Sequence, residues 1–376
     1  MKNEVNNIKS LEKKMLRSVR FWLVMLLPIT LILRLIVSNV PNAADFYCDH
    51  IYRYVSVIFN NLSGVVPFSL AEFVFIGGIL AILVYIVSLV VLVIRRKGKR
   101  IKELRNGILN LICLFSVILF LFNTNCGLNY YRSGFEQLSG LKTTPVAADT
   151  LYDTCVYLAK NAARSGKNVD RDENGVMILN DMNEIKHLAA DAVNGLNEKY
   201  DFIYHGYSIP KGVLLSRGMS RLNITGIYFP FTFEANVNTD VPDFSIPATM
   251  CHELSHVRGF MHEEDANFVA FLACTLSDSD ELNYSGDMLA LSYASNALYS
   301  ADKERYYELI QNYYTDEMLS DLRASAEYWK QFETPVAETA AKINDSYLKS
   351  NSQSDGVKSY GRMVDLVIAY YCSEIQ

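Results

Sequence analysis

The stretch Cys251-His-Glu-Leu-Ser-His-Val-Arg-Gly-Phe-Met-His-Glu-Glu-Asp-Ala-Asn267 determines how the rest of this chain is interpreted. It contains His252-Glu253-Leu254-Ser255-His256, the HExxH spacing of zinc hydrolases. Residues i and i+4 lie on the same face of a helix, so His252 and His256 can present two imidazoles to one Zn2+ ion. Glu253 lies beside that face and can take a proton from a metal-bound water, which predicts a catalytic role for it.

A catalytic zinc site needs three protein ligands and one open position, and two residues compete for the third place. His262 completes the metzincin motif HExxHxxGxxH, with Gly259 at the turn. Glu263 instead opens a second predicted helix, on which it shares a face with Asn267. From there Asn267 can hydrogen-bond a histidine ligand. We favour Glu263, because a metzincin leaves the helix after its third histidine whereas this chain begins one.

Three stretches carry a resemblance to a known family: Tyr228-Phe-Pro-Phe-Thr-Phe-Glu-Ala-Asn-Val-Asn238, HELSHVRGFMHEEDANFVAF at 252–271, and Ser359-Tyr-Gly-Arg-Met-Val-Asp-Leu-Val-Ile-Ala-Tyr370. The chain resembles an uncharacterised family of bacterial polytopic membrane proteins, known by a domain-of-unknown-function label and described as candidate zinc metallopeptidases. It is also similar to the gluzincins, including membrane proteases that process prenylated proteins, in which HExxH is followed by Glu-x-x-Ala-Asp/Asn. The resemblance implies that Glu263 is the third ligand. It also implies that the match to the metzincin motif, which ends at His262, has no role in metal binding. It implies no substrate.

Residues 1–123 contain three apolar runs long enough to be transmembrane helices, at about 21–40, 66–94 and 108–122. Basic clusters precede the first run and separate the second from the third. The positive-inside rule therefore predicts a multi-pass protein of the bacterial cell membrane with residues 124–376 outside the cytoplasm.

Two further features of the membrane region lead to predictions about its surface and its charges. The partly amphipathic stretch from Phe46 to Leu62 is expected to lie on the membrane surface. Arg34 and Glu72 fall at similar depth in the first two predicted spans, so we expect them to form an ion pair. The alternative is that each side chain extends separately to the membrane surface.

Residues 124–376 carry 35 acidic and 20 basic side chains, which argues against nucleic acid as a partner. Hydrophobic periodicity in this region predicts helices at 146–165, 181–199, 246–258, 263–277, 280–300, 302–330 and 357–372. A β-branched and aromatic run at 224–233 predicts a strand, and Pro230 within it indicates an edge position. In zinc peptidases such a strand holds the substrate backbone, which makes Tyr228 and Phe229 candidate substrate-binding residues. A purely structural strand explains the same pattern.

The fold class expected from these patterns is mainly α. Three transmembrane helices are followed by an α-rich, zincin-like metallopeptidase domain with a small β edge strand or sheet. The seven cysteines show no CxxC spacing, which excludes a zinc ribbon.

The favoured function is a membrane-anchored zinc endopeptidase that acts on peptide or protein substrates outside the cytoplasm. The alternative is a catalytically inactive zinc- or peptide-binding receptor, but binding zinc does not require Glu253. An intramembrane protease is disfavoured, because the residues around the motif are too polar for hydrocarbon. Tyr360 and Arg362 are candidates for a transition-state stabiliser.

Overall fold

The computed structural model describes residues 18–143, 148–350 and 360–374. The first part comprises α1 (Val19–Asn39), α2 (Ala43–Tyr47), α3 (Arg53–Gly64), α4 (Leu70–Arg95) and α5 (Arg100–Asn125), with a π-helical turn between α2 and α3 at Cys48–Tyr52. Three helical segments, Val19–Asn39, Leu70–Arg95 and Lys97–Asn125, are long and apolar enough to cross a membrane. The prediction of three such helices is confirmed. The third is longer than expected, because the basic residues before its apolar run are already helical.

The chain beyond α5 is also mainly helical, as predicted. Its elements are α6 (Phe135–Ser139), α7 (Ala148–Ser165), α8 (Met182–Gly195), β1 (Lys211–Gly212), α9 (Ser216–Arg221), β2 (Gly226–Phe229), β3 (Glu234–Val237), α10 (Ile246–Val257), α11 (Glu263–Thr275), α12 (Asp280–Ala301), α13 (Lys303–Tyr313), α14 (Asp316–Lys330), α15 (Pro335–Ser350) and α16 (Tyr360–Glu374). The helix predicted over 302–330 is two helices, because the Thr315 side chain accepts a hydrogen bond from the Met318 N–H and caps a new start. Helix α15 was not predicted.

A three-stranded sheet in the order β1-β3-β2 lies beside α10. Strand β1 is parallel to β3, whereas β2 pairs with β3 as a hairpin in the register Phe229↔Glu234. The stretch predicted as one strand, 224–233, is therefore β2 followed by the hairpin turn. Phe233 closes that turn with a φ of 54°. Pro230 lies in the turn, where its carbonyl accepts a hydrogen bond from Asn125.

The two faces of the sheet contact different parts of the molecule. Side chains alternate along a strand, so Glu234 and Asn236 of β3 share one face. Both bond the chain at the start of α4: Glu234 binds the Ala71 N–H, and Asn236 accepts from the Ser69 hydroxyl. The opposite face, which includes Gly226 and Tyr228 of β2, packs on α10. The sheet therefore lies between α10 and the start of the second apolar helix.

A buried ion pair joins the sheet to α4. The Glu234 carboxylate accepts hydrogen bonds from the N–H groups of Leu70 and Ala71, which have no partner within the helix. Its negative charge also opposes the positive end of the helix dipole. The Lys211 ammonium contacts the same carboxylate and donates to the Ser63 carbonyl at 2.7 Å. Both charged side chains are almost inaccessible to solvent.

The predicted ion pair between Arg34 and Glu72 is wrong. Glu72 accepts hydrogen bonds from the backbone N–H groups of Leu214 and Leu215, at 2.8 and 2.9 Å. Arg34 donates to the Tyr131 hydroxyl at 3.4 Å. The physical reason is the packing order, since α1 and α4 each pack against α5. The first turn of α4 therefore contacts residues 214–215, whose amides bind the Glu72 carboxylate.

Because Lys211 is buried, Glu234→Gln should leave its charge uncompensated and destabilise the protein by about 3 kcal/mol or more. For a chain of this size that corresponds to a fall in Tm of roughly 4 °C or more, measurable by thermal unfolding of the detergent-purified protein. Asp345→Asn is the matched control, because Asp345 pairs with Lys349 at the surface and should change Tm little. Equal, small effects of both substitutions would contradict a stabilising role for the buried pair.

Candidate metal centre

A sharp turn brings the HExxH helix and the following helix together. Helix α10 has Pro247 in its first turn and ends at Val257. Gly259 follows with a φ of +87°, a backbone conformation that residues with a Cβ rarely adopt. A Cβ at this position would also lie 2.8 Å from the Cys48 sulfur. The turn reverses the chain so that α11 starts at Glu263, opposite the two histidines of the motif.

Three of the predicted metal ligands converge on one point. The Nε2 atom of His252 lies 3.4 Å from Glu263 Oε2, and that of His256 lies 3.8 Å from Glu263 Oε1. Each of the three residues offers a ligand atom within 4.8 Å of the other two. Tetrahedral zinc ligands about 2.0–2.2 Å from the ion lie roughly 3.3–3.6 Å from one another. The spacing and the donor set therefore fit a zinc ion.

The second ring nitrogens of both histidines are held by acceptors. His252 Nδ1 donates to Asn267 Oδ1 at 2.8 Å, and His256 Nδ1 donates to the Phe260 carbonyl at 2.6 Å. With a proton on Nδ1, each neutral imidazole presents the Nε2 lone pair toward Glu263. Asn267 thus lies in the position predicted for it, against a histidine and one helical turn beyond Glu263.

Electrostatics at the site reflect buried charges that compensate one another. Burial lowers the pKa of His252, but the hydrogen bond and charge of Glu263 outweigh it and raise that pKa to about 9. Burial, assisted by the charge on His252, lowers the pKa of His256 to about 4. Burial raises the pKa of Glu263, but His252 outweighs this effect and holds it below its usual value. Without a cation, a proton on His252 balances Glu263; a bound metal ion would take the place of that proton.

Glu253 lies beside this cluster with part of its carboxylate unsatisfied. Its side chain is buried, which raises its pKa to about 8 despite the nearby His252. It accepts a hydrogen bond from the Tyr228 N–H of β2, whereas Oε2 has no protein partner among the described residues. A carboxylate oxygen of this kind is suited to accept a proton from a water molecule.

Gly226 is a positioning residue that sequence reasoning missed. A Cβ there would come 2.5 Å from Glu253 Oε1, so any other residue would displace the carboxylate. The available signal was a glycine inside a predicted strand, which often marks the close approach of another group.

The remaining predicted residues lie in different surroundings. His262 Nε2 donates to the Tyr130 carbonyl at 2.9 Å and is not part of the convergent group. The Tyr228 side chain is buried, with its hydroxyl 3.1 Å from that of Tyr52, and its backbone N–H binds Glu253. Phe229 is half-buried and its ring packs on Phe231.

The two candidate transition-state stabilisers lie on α16. Arg362 pairs with Glu264 at 2.7 Å, one residue from Glu263. Tyr360 is the first residue of the helix, and its side chain lies outside the described residues. Tyrosines that the sequence did not single out lie closer to the cluster. Tyr293 of α12 bonds Asn267 and is close enough for the Glu263 charge to assist burial in raising its pKa to about 12. Burial also raises the pKa of Tyr130 and of Tyr347, and the Glu263 charge adds to this effect.

Comparison with known proteins identifies a family and nothing more specific. The family model described as "Protein of unknown function (DUF3810)" matches residues 47–368, which include every element from the end of α2 to α15 and most of α16. No curated protein and no solved structure gives a significant match. The chain therefore belongs to the DUF3810 family of proteins of unknown function.

Proposed function

We propose that this protein is a membrane-anchored, zinc-dependent metallopeptidase that hydrolyses peptide bonds outside the cytoplasm. The observation that supports this most is the convergence of His252, His256 and Glu263 beside the unpartnered carboxylate oxygen of Glu253. Two histidines and a glutamate are a known ligand set of catalytic zinc in peptidases. A site that only stored or sensed zinc would not need Glu253.

His252, His256 and Glu263 would hold the ion. When bound, zinc supplies a Lewis acid that polarises a carbonyl and lowers the pKa of water to about 7. Glu253 takes the proton of the attacking water and passes it to the departing amine. The Tyr228 N–H keeps the Glu253 carboxylate in place for both transfers, and Gly226 leaves room for it.

Strand β2 provides a place for the substrate backbone. It is one of the two edge strands of the sheet among the described residues, and its Gly226 and Tyr228 approach Glu253. An extended peptide can add to such an edge through main-chain hydrogen bonds. Phe229 would lie at the end of the peptide track nearest the hairpin turn.

Glu253→Gln should abolish hydrolysis while the protein still binds zinc, because the amide fills the same space and cannot accept the proton. We expect hydrolysis of labelled unfolded casein to fall by roughly 10²–10⁴-fold. Zinc content, measured on the same detergent-purified samples, should remain close to that of the wild type. Glu184→Gln serves as the matched control and should hydrolyse casein at the wild-type rate, since Glu184 is exposed on α8. Equal rates for wild type and Glu253→Gln would favour the inactive zinc- or peptide-binding receptor.

Glu263→Ala should lower bound zinc at least as severely as His256→Ala, because both substitutions remove one of three ligands. His262→Ala should leave zinc close to normal, since its Nε2 is engaged by the Tyr130 carbonyl. Zinc per protein after dialysis against a weak chelator is the measurement. Loss of zinc from His262→Ala together with retention in Glu263→Ala would show that the metzincin interpretation is correct.

Residues 124–376 should lie outside the cytoplasm, because the basic clusters before α1 and between α4 and α5 both fall at the opposite ends of the apolar helices. Protease added to intact bacterial spheroplasts should digest this region. A cytoplasmic marker protein in the same sample should remain intact until lysis. Full protection of residues 124–376 before lysis would reverse the assignment.

A further inference from the structure

The candidate metal centre lies directly against the ends of the membrane helices. His262, the residue before Glu263, donates to the Tyr130 carbonyl five residues beyond the end of α5. The neighbouring Tyr131 accepts a hydrogen bond from Arg34, which lies within α1. The start of α11 is therefore linked to two of the apolar helices through one short turn, Gly127–Tyr131.

The sheet that contains β2 is bound to the start of the second apolar helix, α4. Glu234 and Asn236, on the sheet face opposite α10, bond the first residues of α4. The side chain of Ile227 in β2 shares that face, because Ile227 pairs with Asn236. Ile227 is 46% exposed although it is large and apolar. The edge of β2 beside Glu253 thus has an exposed apolar residue on the side of the membrane helices.

Further exposed apolar residues lie outside the spans. We call this set the apolar collar; it comprises Ile51, Tyr54, Ile58, Leu62, Leu214 and Leu215, each between 47 and 74% exposed. Two contacts make it continuous with α4: the amides of Leu214 and Leu215 bind Glu72 in the first turn of that helix.

Helix α3 shows why the collar suits lipid. Its inward face is polar: Ser56 donates to the Val257 carbonyl at the end of α10, and Asn60 donates to the Phe233 carbonyl. Its outward face contributes Tyr54, Ile58 and Leu62 to the collar. A surface helix in water has the reverse arrangement, with its apolar face inward. An apolar outward face next to membrane helices is the arrangement of an interfacial helix.

We propose that the apolar collar lies in the lipid interface, and that the substrate is a polypeptide anchored in the same membrane and cleaved close to the bilayer surface. This inference rests on the peptidase function proposed above. A strand added to β2 would begin at the level of the collar. An extended chain covers about 3.3–3.6 Å per residue, so even a short segment next to the anchor can reach an edge that begins at the level of the collar. Anchoring also raises the local concentration of the segment at the site.

The first test measures lipid contact without any activity. The full chain is reconstituted in lipid nanodiscs with a benzophenone amino acid at position 214 or, as a matched control, at position 276. Leu276 is also exposed, but it follows α11 at the end opposite Glu263. We expect light to cross-link lipid at position 214 at least five-fold more than at position 276. Equal cross-linking at the two positions would overturn the proposal that the apolar collar lies in the lipid interface.

The second test measures the substrate class. The zinc-loaded full chain in nanodiscs is given peptides of degenerate sequence with a palmitoyl anchor and a two-residue spacer, with the same anchor and a twenty-residue spacer, or with no anchor. The long spacer controls for local concentration, because both anchored peptides are equally concentrated at the surface. We expect cleavage near the short spacer to be at least ten-fold faster than in either other peptide, by mass spectrometry of products.

The outcomes separate this inference from the peptidase function. Glu253-dependent cleavage of all three peptides at similar rates would overturn the inference and leave the peptidase intact. Faster cleavage of the long-spacer peptide than of the short-spacer peptide would also overturn the inference and leave the peptidase function intact. Cleavage of none of the peptides by the zinc-loaded protein would count against both. Faster cleavage of the short-spacer peptide by wild type, but not by Glu253→Gln, would support both.

Discussion

Buried charge is the constraint on which the arrangement of this protein depends. Glu253 and His256 are buried and His252 and Glu263 are partly buried, in surroundings where an uncompensated charge costs several kcal/mol. The surroundings compensate each group: fixed acceptors hold the Nδ1 atoms, the Glu263 carboxylate lies between the two Nε2 atoms, and a backbone N–H binds Glu253. Hydrophobic side chains of similar volume would stabilise such a core at least as well. A cluster of this kind therefore points to chemistry rather than to packing.

Close approach of backbones is what makes the compensation possible. Helix α11 faces α10 with alanines at 266 and 270, both fully buried, so the two helices pack closely enough for Glu263 to reach both histidines. Gly226 brings β2 against Glu253, and Gly259 reverses the chain within a few residues. In each case a glycine or an alanine leaves the space that a polar group or a neighbouring backbone occupies.

The parts of this structure that could be predicted from sequence are those set by local spacing. The i, i+4 relation placed His252 and His256 on one face, and the apolar runs gave the three long helices. Contacts between distant segments could not be predicted. The ion pair expected between Arg34 and Glu72 rested on depth alone, whereas helix packing decided their partners. Tyr293, thirty residues from Glu263 in sequence, gave no signal, because nothing local marks a tyrosine that reaches a distant site.

The composition of the chain changes after residue 123, from a region with long apolar runs to an acidic one. Hydrogen bonds nevertheless join the two regions. Tyr52 and Ser56, between the first two apolar helices, donate to the Val257 carbonyl at the end of α10. Glu234 of the sheet is neutralised by Lys211 and capped by amides of α4. Without residues 1–123, the Val257 carbonyl would keep only its hydrogen bond from Tyr204, and the Glu234 carboxylate would keep Lys211 but lose the two α4 amides. Each lost hydrogen bond to a buried group costs roughly 1–3 kcal/mol. The α10 helix and the β2 edge are thus positioned in part by contacts with residues 1–123, so the region of the three long apolar helices forms part of the structure that shapes the site.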